Sequence, residues 1–175
     1  KSEFEKDMGW FGKYCFPKAS AKDTPPFHRD IYKQLKNDDT RRVLIAAPRG
    51  TAKSTVCSLI FPMYKIAYKK PEEDLFMVIV SESQAQSVNF LSRIKYHLEH
   101  SQNFKDIFGD FSSATARRWT GADIVLKNGT RIVAVGTGQR VRGFIEGDTR
   151  PNVIIVDDFD SELNAFTPEA RTENR

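Results

Sequence analysis

The chain is short of the residues that staple or metallate small domains. Only two cysteines, Cys15 and Cys57, occur in 175 residues, and they stand far apart. The three histidines, His28, His97 and His100, complete no Cys/His ligand spacing. A disulfide framework and a zinc module are therefore excluded as organising features, and the reduced thiols of a cytosolic protein are expected. No apolar run approaches the roughly 20 residues of a membrane-spanning helix, so no membrane partner is expected. The first residues, KSEFEKD, do not read as a signal segment. Internal repeats and low-complexity tracts are missing as well. Neither sign of charge dominates: 27 basic against 23 acidic residues give a net charge of +4, which permits contact with nucleic acid without requiring it.

What is present is a chain that is 39% hydrophobic and long enough for one domain with a proper core. Its apolar pattern alternates between the periods of helix and strand. Residues 3–16 repeat Phe4, Met8, Phe11 and Cys15 at helical spacing, against the weakening effect of Gly9 and Gly12. A polar linker closes on Pro25 and Pro26, and a helix over 27–35 should bury Phe27, Ile31 and Leu35 on one face. Residues 41–47 read as the first core strand, covered on both faces. A helix over 53–69, about 25 Å long, should be kinked or broken at Pro62. Residues 75–80 form a second buried strand, and Val88, Leu91, Ile94 and Leu98 mark a helix over 84–100. Asn128-Gly129 between two β-rich runs predicts a hairpin over 123–135. A Gly/Arg-rich loop spans 136–150, an apolar strand spans 153–156, and Thr167-Pro168 starts a last helix. Strands alternating with helices define an α/β fold, with a mostly parallel central sheet flanked by helices and a β-hairpin at the sheet.

Between the first strand and the long helix stands Ala47, Pro48, Arg49, Gly50, Thr51, Ala52, Lys53, Ser54, Thr55. A strand feeding a helix through small residues that end in Lys-Ser/Thr is the context of a phosphate-binding loop. Backbone N–H groups converge there on an anion, and the helix start adds its partial positive charge. Lys53 would reach the β- and γ-phosphates, and the Ser54 hydroxyl would hold Mg²⁺. The usual pattern has two glycines, and here those positions hold Ala47 and Ala52. Gly50 is then the one loop residue expected at positive φ. An ordinary strand-to-helix turn with a surface lysine would carry the same residues.

Two further stretches bear on that choice. Val153, Ile154, Ile155 and Val156 lead into Asp157 and Asp158. A buried strand ending in two carboxylates fits a Walker B strand. Asp157 could hold Mg²⁺ beside Ser54, and Asp158 could orient or deprotonate a water. A solvated Asp-Asp turn is the plainer alternative. In the glycine-rich loop, Arg140 and Arg142 carry charge that cannot be removed, suited to a γ-phosphate or to DNA phosphates.

Taken together, residues 48–55, Val141-Arg142-Gly143, residues 150–158 and the upstream 26–31 resemble the large terminase subunit of tailed bacteriophages, the DNA-packaging motor. The likeness covers nearly the whole chain. It implies a P-loop ATPase of the ASCE type, with residues 41–175 as the ATPase core and residues 1–40 as a helical segment over the nucleotide site. The core would stop short of the coupling motif and of the nuclease domain. ATP and Mg²⁺ are the implied cofactors. Pro48, Arg49, Gly50, Thr51, Ala52, Lys53, Ser54 and Thr55 would bind the phosphates, with Ser54 and Asp157 on the metal. Arg49 would sense the γ-phosphate, Asp158 would be the catalytic carboxylate, and Arg142 would act as a finger, in trans on a neighbouring subunit. Phe27 and His28 match the region that covers adenine. The implied partners are double-stranded DNA, a portal protein, a small terminase subunit and further copies in a ring, a pentamer by resemblance. The implied location is the host cytoplasm, docked transiently on the procapsid portal and absent from the mature virion. A helicase-like P-loop motor is the alternative within the class. A non-catalytic nucleic-acid-binding module, using Arg117, Arg118, Arg140 and Arg142, is the alternative outside it.

Overall fold

The computed structural model describes residues 5–20, 24–37, 39–138 and 149–158. Along the chain run α1 (Met8–Cys15), α2 (Pro26–Lys36), α3 (Lys53–Thr55), a π-helical turn (Val56–Ile60), α4 (Phe61–Tyr68), β1 (Phe76–Ser81), α5 (Gln84–His100), α6 (Gln102–Phe108), β2 (Arg118–Trp119), β3 (Asp123–Val125), β4 (Arg131–Gly136) and β5 (Val153–Val156). The strands form one mixed sheet in the order β2-β3-β4-β1-β5. β1 is parallel to both of its neighbours, β4 and β5, whereas β3 runs antiparallel to β4 and β2. The fold is α/β, with parallel central strands packed against helices.

Alternation along β1 explains why its sequence is apolar without a break. Met77 and Ile79 face the helices and join one buried cluster with Leu59, Met63, Leu91, Ile94, Leu98 and Ile132. Phe76, Val78 and Val80 face the other way and cluster with Val133 and Val135. A strand buried on both faces has no polar side to display. The expected hairpin forms between β3 and β4. Gly129 takes φ +83 in its turn, and the Asn128 side chain accepts from the Thr130 N–H at 3.1 Å. Beside the turn, Arg131 is buried, donates twice to Asp123 at 3.2 and 2.9 Å and lies 4.7 Å over the Phe76 ring.

The α5 helix matches its expected span. Its N-cap, Ser83, accepts from the Gln86 N–H at 3.2 Å, which satisfies one of the free donors at the helix start. Gly136, read from sequence as the start of a loop, is instead the last residue of β4. It abuts this helix start so closely that an added Cβ would sit 2.6 Å from the Gln84 nitrogen. The glycines of α1 have a similar cause: a Cβ on Gly12 would stand 2.9 Å from Ile60. Asp7 caps α1 by accepting from the N–H groups of Gly9 and Trp10 at 2.8 and 3.1 Å.

Pro62 neither breaks nor ends its helix. The strain is taken up one turn earlier, where the Phe61 N–H reaches back to the Val56 carbonyl. A proline ring crowds the carbonyl four residues before it, and the wider π turn over Val56–Ile60 accommodates it.

Residues 41–47 depart from expectation. They are not a strand, and Leu44 is 95% exposed. An apolar run becomes a core strand only beside a strand to pair with. Among the described residues β5 pairs only with β1, and 41–47 pairs with no strand. In α2 the buried residue is Tyr32, while Ile31 and Leu35 are partly buried and Phe27 is exposed. The loop bearing Arg140 and Arg142 and the helix expected from Thr167 lie outside the described residues. Among the described residues no helix is long and apolar enough to cross a membrane.

Candidate functional site

The loop after residue 47 turns through two left-handed residues, not one. Gly50 has φ +81, as expected, and Ala52 has φ +58. Ala52 is also the N-cap of α3. That position holds glycine in the usual phosphate-loop pattern, and the reason is visible: the backbone there is left-handed, where a Cβ costs about 1–2 kcal/mol. The loop is braced from within. Thr51 Oγ1 donates to the Pro48 carbonyl at 2.7 Å. Lys53 Nζ donates to the Ala47 carbonyl and, at 3.0 Å, to that of Pro48. From outside, His28 Nε2 donates to the Thr51 carbonyl at 2.7 Å.

The two motifs that sequence placed together do meet. Asp157, just past β5, accepts from Ser54 Oγ at 3.2 Å through Oδ1, across 103 residues of chain. Its Oδ2 accepts from Ser58 Oγ at 2.6 Å. Ser58 is buried within the π turn, so the irregularity imposed near Pro62 also supplies a second hydroxyl to this carboxylate. The metal expectation can be tested on the donor set. Ser54 and Asp157 offer hard oxygens, and their 3.2 Å separation is near the ~3 Å between neighbouring oxygens in an octahedral shell with 2.1 Å bonds. Mg²⁺ needs few protein ligands when phosphates complete its shell. The residues present fit it, although no group of three or more His, Cys, Asp or Glu forms a metal-holding cluster among the described residues.

A cleft of about 570 Å³ opens over Ser54, lined by residues 49–55, Glu82, Ser83, Gln86 and Asp158. Arg49 and Asp158 thus stand on its wall. Asp158 takes φ +49, its carbonyl accepts from the Glu82 N–H at 2.9 Å, and its Oδ2 lies 3.5 Å from Gln86 Nε2. A second cavity of about 600 Å³ lies across the loop; Gly50, Thr51, Ala52 and Thr55 line both. Phe27, His28 and Tyr32 line this second cavity. Burial, and after it the nearby Asp157 charge, push the Cys57 thiol up to about 11 against the opposing pull of Lys53, so Cys57 stays a neutral thiol beside the site.

Glu82, Ser83, Gln86 and Ser58 were missed by sequence reasoning. Glu82 and Ser83 follow β1 immediately and Gln86 sits in the first turn of α5, and in a parallel sheet the ends of adjacent strands open at the same edge. That rule, applied to Ser81-Glu82-Ser83 after its apolar run, would have found them. Arg142 lies outside the described residues. Compared with protein-family models the chain matches none, and no curated protein is significantly similar to it.

Proposed function

We propose that the chain is an ATP-hydrolysing domain of a DNA-packaging motor, similar to the large terminase subunit. The observation that carries the nucleotide-binding part is the convergence of Ser54 and Ser58 on Asp157, at the edge of a cleft walled by residues 49–55. A polar turn with a stray lysine gives no reason for two hydroxyls, about a hundred residues away in sequence, to gather on the carboxylate that ends β5.

In this reading the triphosphate occupies the cleft and the adenine takes the second cavity beside Phe27 and His28. Lys53 exchanges the Ala47 and Pro48 carbonyls for β- and γ-phosphate oxygens. Backbone N–H groups of Gly50 to Ser54 cradle the β-phosphate, and Thr55 adds a hydroxyl at the helix start. Ser54 and Asp157 hold Mg²⁺, which when bound neutralises charge on the phosphates. Arg49 stabilises the γ-phosphate, and Arg142 serves a neighbouring subunit. The attacking water needs a carboxylate on the cleft wall, where Asp158 and Glu82 both stand. Double-stranded DNA, the portal, the small subunit, the ring and the transient cytoplasmic assembly on the procapsid come with the resemblance.

Lys53→Ala tests the reading. ATP affinity and turnover should both fall, by at least about 10²-fold in turnover, as expected for loss of a positioned phosphate contact. Unchanged hydrolysis in that variant would sink it. Salt-sensitive DNA binding with no nucleotide binding would favour the non-catalytic module instead.

A further inference from the structure

We propose that Glu82 is a catalytic carboxylate of this site, the group that orients and deprotonates the attacking water. The inference rests on reading the cleft as an ATPase site, and it moves to Glu82 the role that sequence alone gives to Asp158.

The reason is how each carboxylate is held. Glu82 follows β1, which has parallel neighbours on both sides. The register sets Val80 beside Val156, so β1 and β5 leave the sheet side by side and Glu82 arrives next to Asp158. Its N–H donates to the Asp158 carbonyl at 2.9 Å. Its own carbonyl accepts from Thr137 Oγ1, just past β4, at 2.6 Å. The Glu82 backbone is thus clamped from both flanking strands, while its side chain is exposed on the cleft wall. A positioned base needs that kind of rigid support. Asp158 is placed less well for the task. It is a non-glycine residue at φ +49, its side chain is a methylene shorter, and its carboxylate faces the Gln86 amide at 3.5 Å. Its carbonyl, which also accepts from Ser81 Oγ at 3.3 Å, serves to fix Glu82, making Asp158 a positioning residue.

In the step itself, the water oxygen bonds to the γ-phosphorus as the bond from that phosphorus to the β–γ bridging oxygen breaks. The water proton passes to the Glu82 carboxylate. ADP and inorganic phosphate leave, and Glu82 returns the proton to solvent, so no further reactant is needed.

The test compares Glu82→Gln, Glu82→Asp and Asp158→Asn for ATP affinity, single-turnover rate and pH–rate profile, in the assembly that turns over ATP. Glu82→Gln should slow the chemical step by about 10²–10⁴-fold, the usual contribution of a general base. Its ATP affinity should stay within about threefold, and the acidic limb of its pH profile should vanish. Glu82→Asp should recover part of the rate with the limb restored, and Asp158→Asn should lose less than about tenfold. Abolished turnover in Asp158→Asn beside a near-normal Glu82→Gln would put the base after β5, overturning this inference and leaving the ATPase reading intact. Lost ATP affinity in Glu82→Gln at an unchanged Tm would make Glu82 a binding group and also overturn it. If the unsubstituted protein neither binds nor hydrolyses ATP, the underlying reading fails with it.

Discussion

β4 and β5 flank β1 in the same direction, yet they live in different surroundings. Every residue of β4 is buried, its outer edge is paired with β3, and α5 packs across it. β5 is shorter, and Ile154 and Val156 on it are 58% and 55% exposed. The candidate site belongs to the second side. Its loop and its carboxylate are joined by the Ser54 and Ser58 hydroxyls on Asp157, not by a strand ladder. One half of the sheet therefore supplies stability, and the other, among the described residues, presents polar groups at an edge with no further strand paired to it. Segments that must admit a ligand belong to the less covered parts of a fold.

The sharpest way to break that comparison is to cut the same residue type on each side. Ile79 is fully buried in the helix-facing cluster, so Ile79→Ala should cost about 2–5 kcal/mol. Ile154→Ala, at an exposed position one strand away, should cost below about 1 kcal/mol. Urea unfolding of the two variants measures both. Equal losses would show that the β5 side is covered as well as the β4 side.

Acid should act first on the covered side. His97 lies on α5 with its ring centroid 4.8 Å from that of Phe16. Burial, and secondarily Arg93, lower its pKa from the ordinary 6.5 to about 4. Between those values the unfolded chain binds a proton that the folded chain refuses, so stability rises with pH across that window and is lost as pH falls through it. His97→Gln should flatten this dependence between about pH 6.5 and pH 4. A slope unchanged in that variant would assign the acid sensitivity elsewhere.

How much of this was legible depends on how local each signal is. The α5 helix shows in the spacing of Val88, Leu91, Ile94 and Leu98, and the β3–β4 hairpin in Asn128-Gly129, because both are decided within a few residues. The meeting of Ser54 with Asp157 was inferred from motif order alone. Residues 41–47 were misread because pairing is not a local property: the same apolar run is a core strand beside a partner and an exposed segment without one. Ser58 went unseen because its direction depends on the π turn, which answers to Pro62 and to packing. Glu82 and Gln86 went unseen because no motif carries them; the register of β1 against β5 does. Ala52 was read as a missing glycine, with Gly50 as the one residue at positive φ, yet the backbone is left-handed at Ala52 as well, because the turn is set by the loop and not by the residue that occupies it.

That last position gives the smallest and most discriminating effect. Gly50 and Ala52 are both left-handed, at φ +81 and +58, and an added Cβ on Gly50 would meet nothing within 4 Å. Space is therefore not the issue at Gly50, and backbone preference decides. At Ala52 the Cβ carries a left-handed penalty of about 1–2 kcal/mol, while replacing it by glycine loosens the unfolded chain by about 0.4–1 kcal/mol. Ala52→Gly should then stabilise by about 0.5 kcal/mol. Gly50→Ala runs the same two quantities in reverse and should destabilise by about as much. If the loop cradles phosphate in the conformation described, nucleotide binding stabilises that conformation. The gap between the two variants in Tm should then persist when ATP and Mg²⁺ are added at saturation, because at equal affinity each variant gains the same stabilisation by mass action. A gap that closes, with ATP affinity lower in Ala52→Gly than in the unsubstituted chain, would mean the left-handed turn at Ala52 is not the binding conformation.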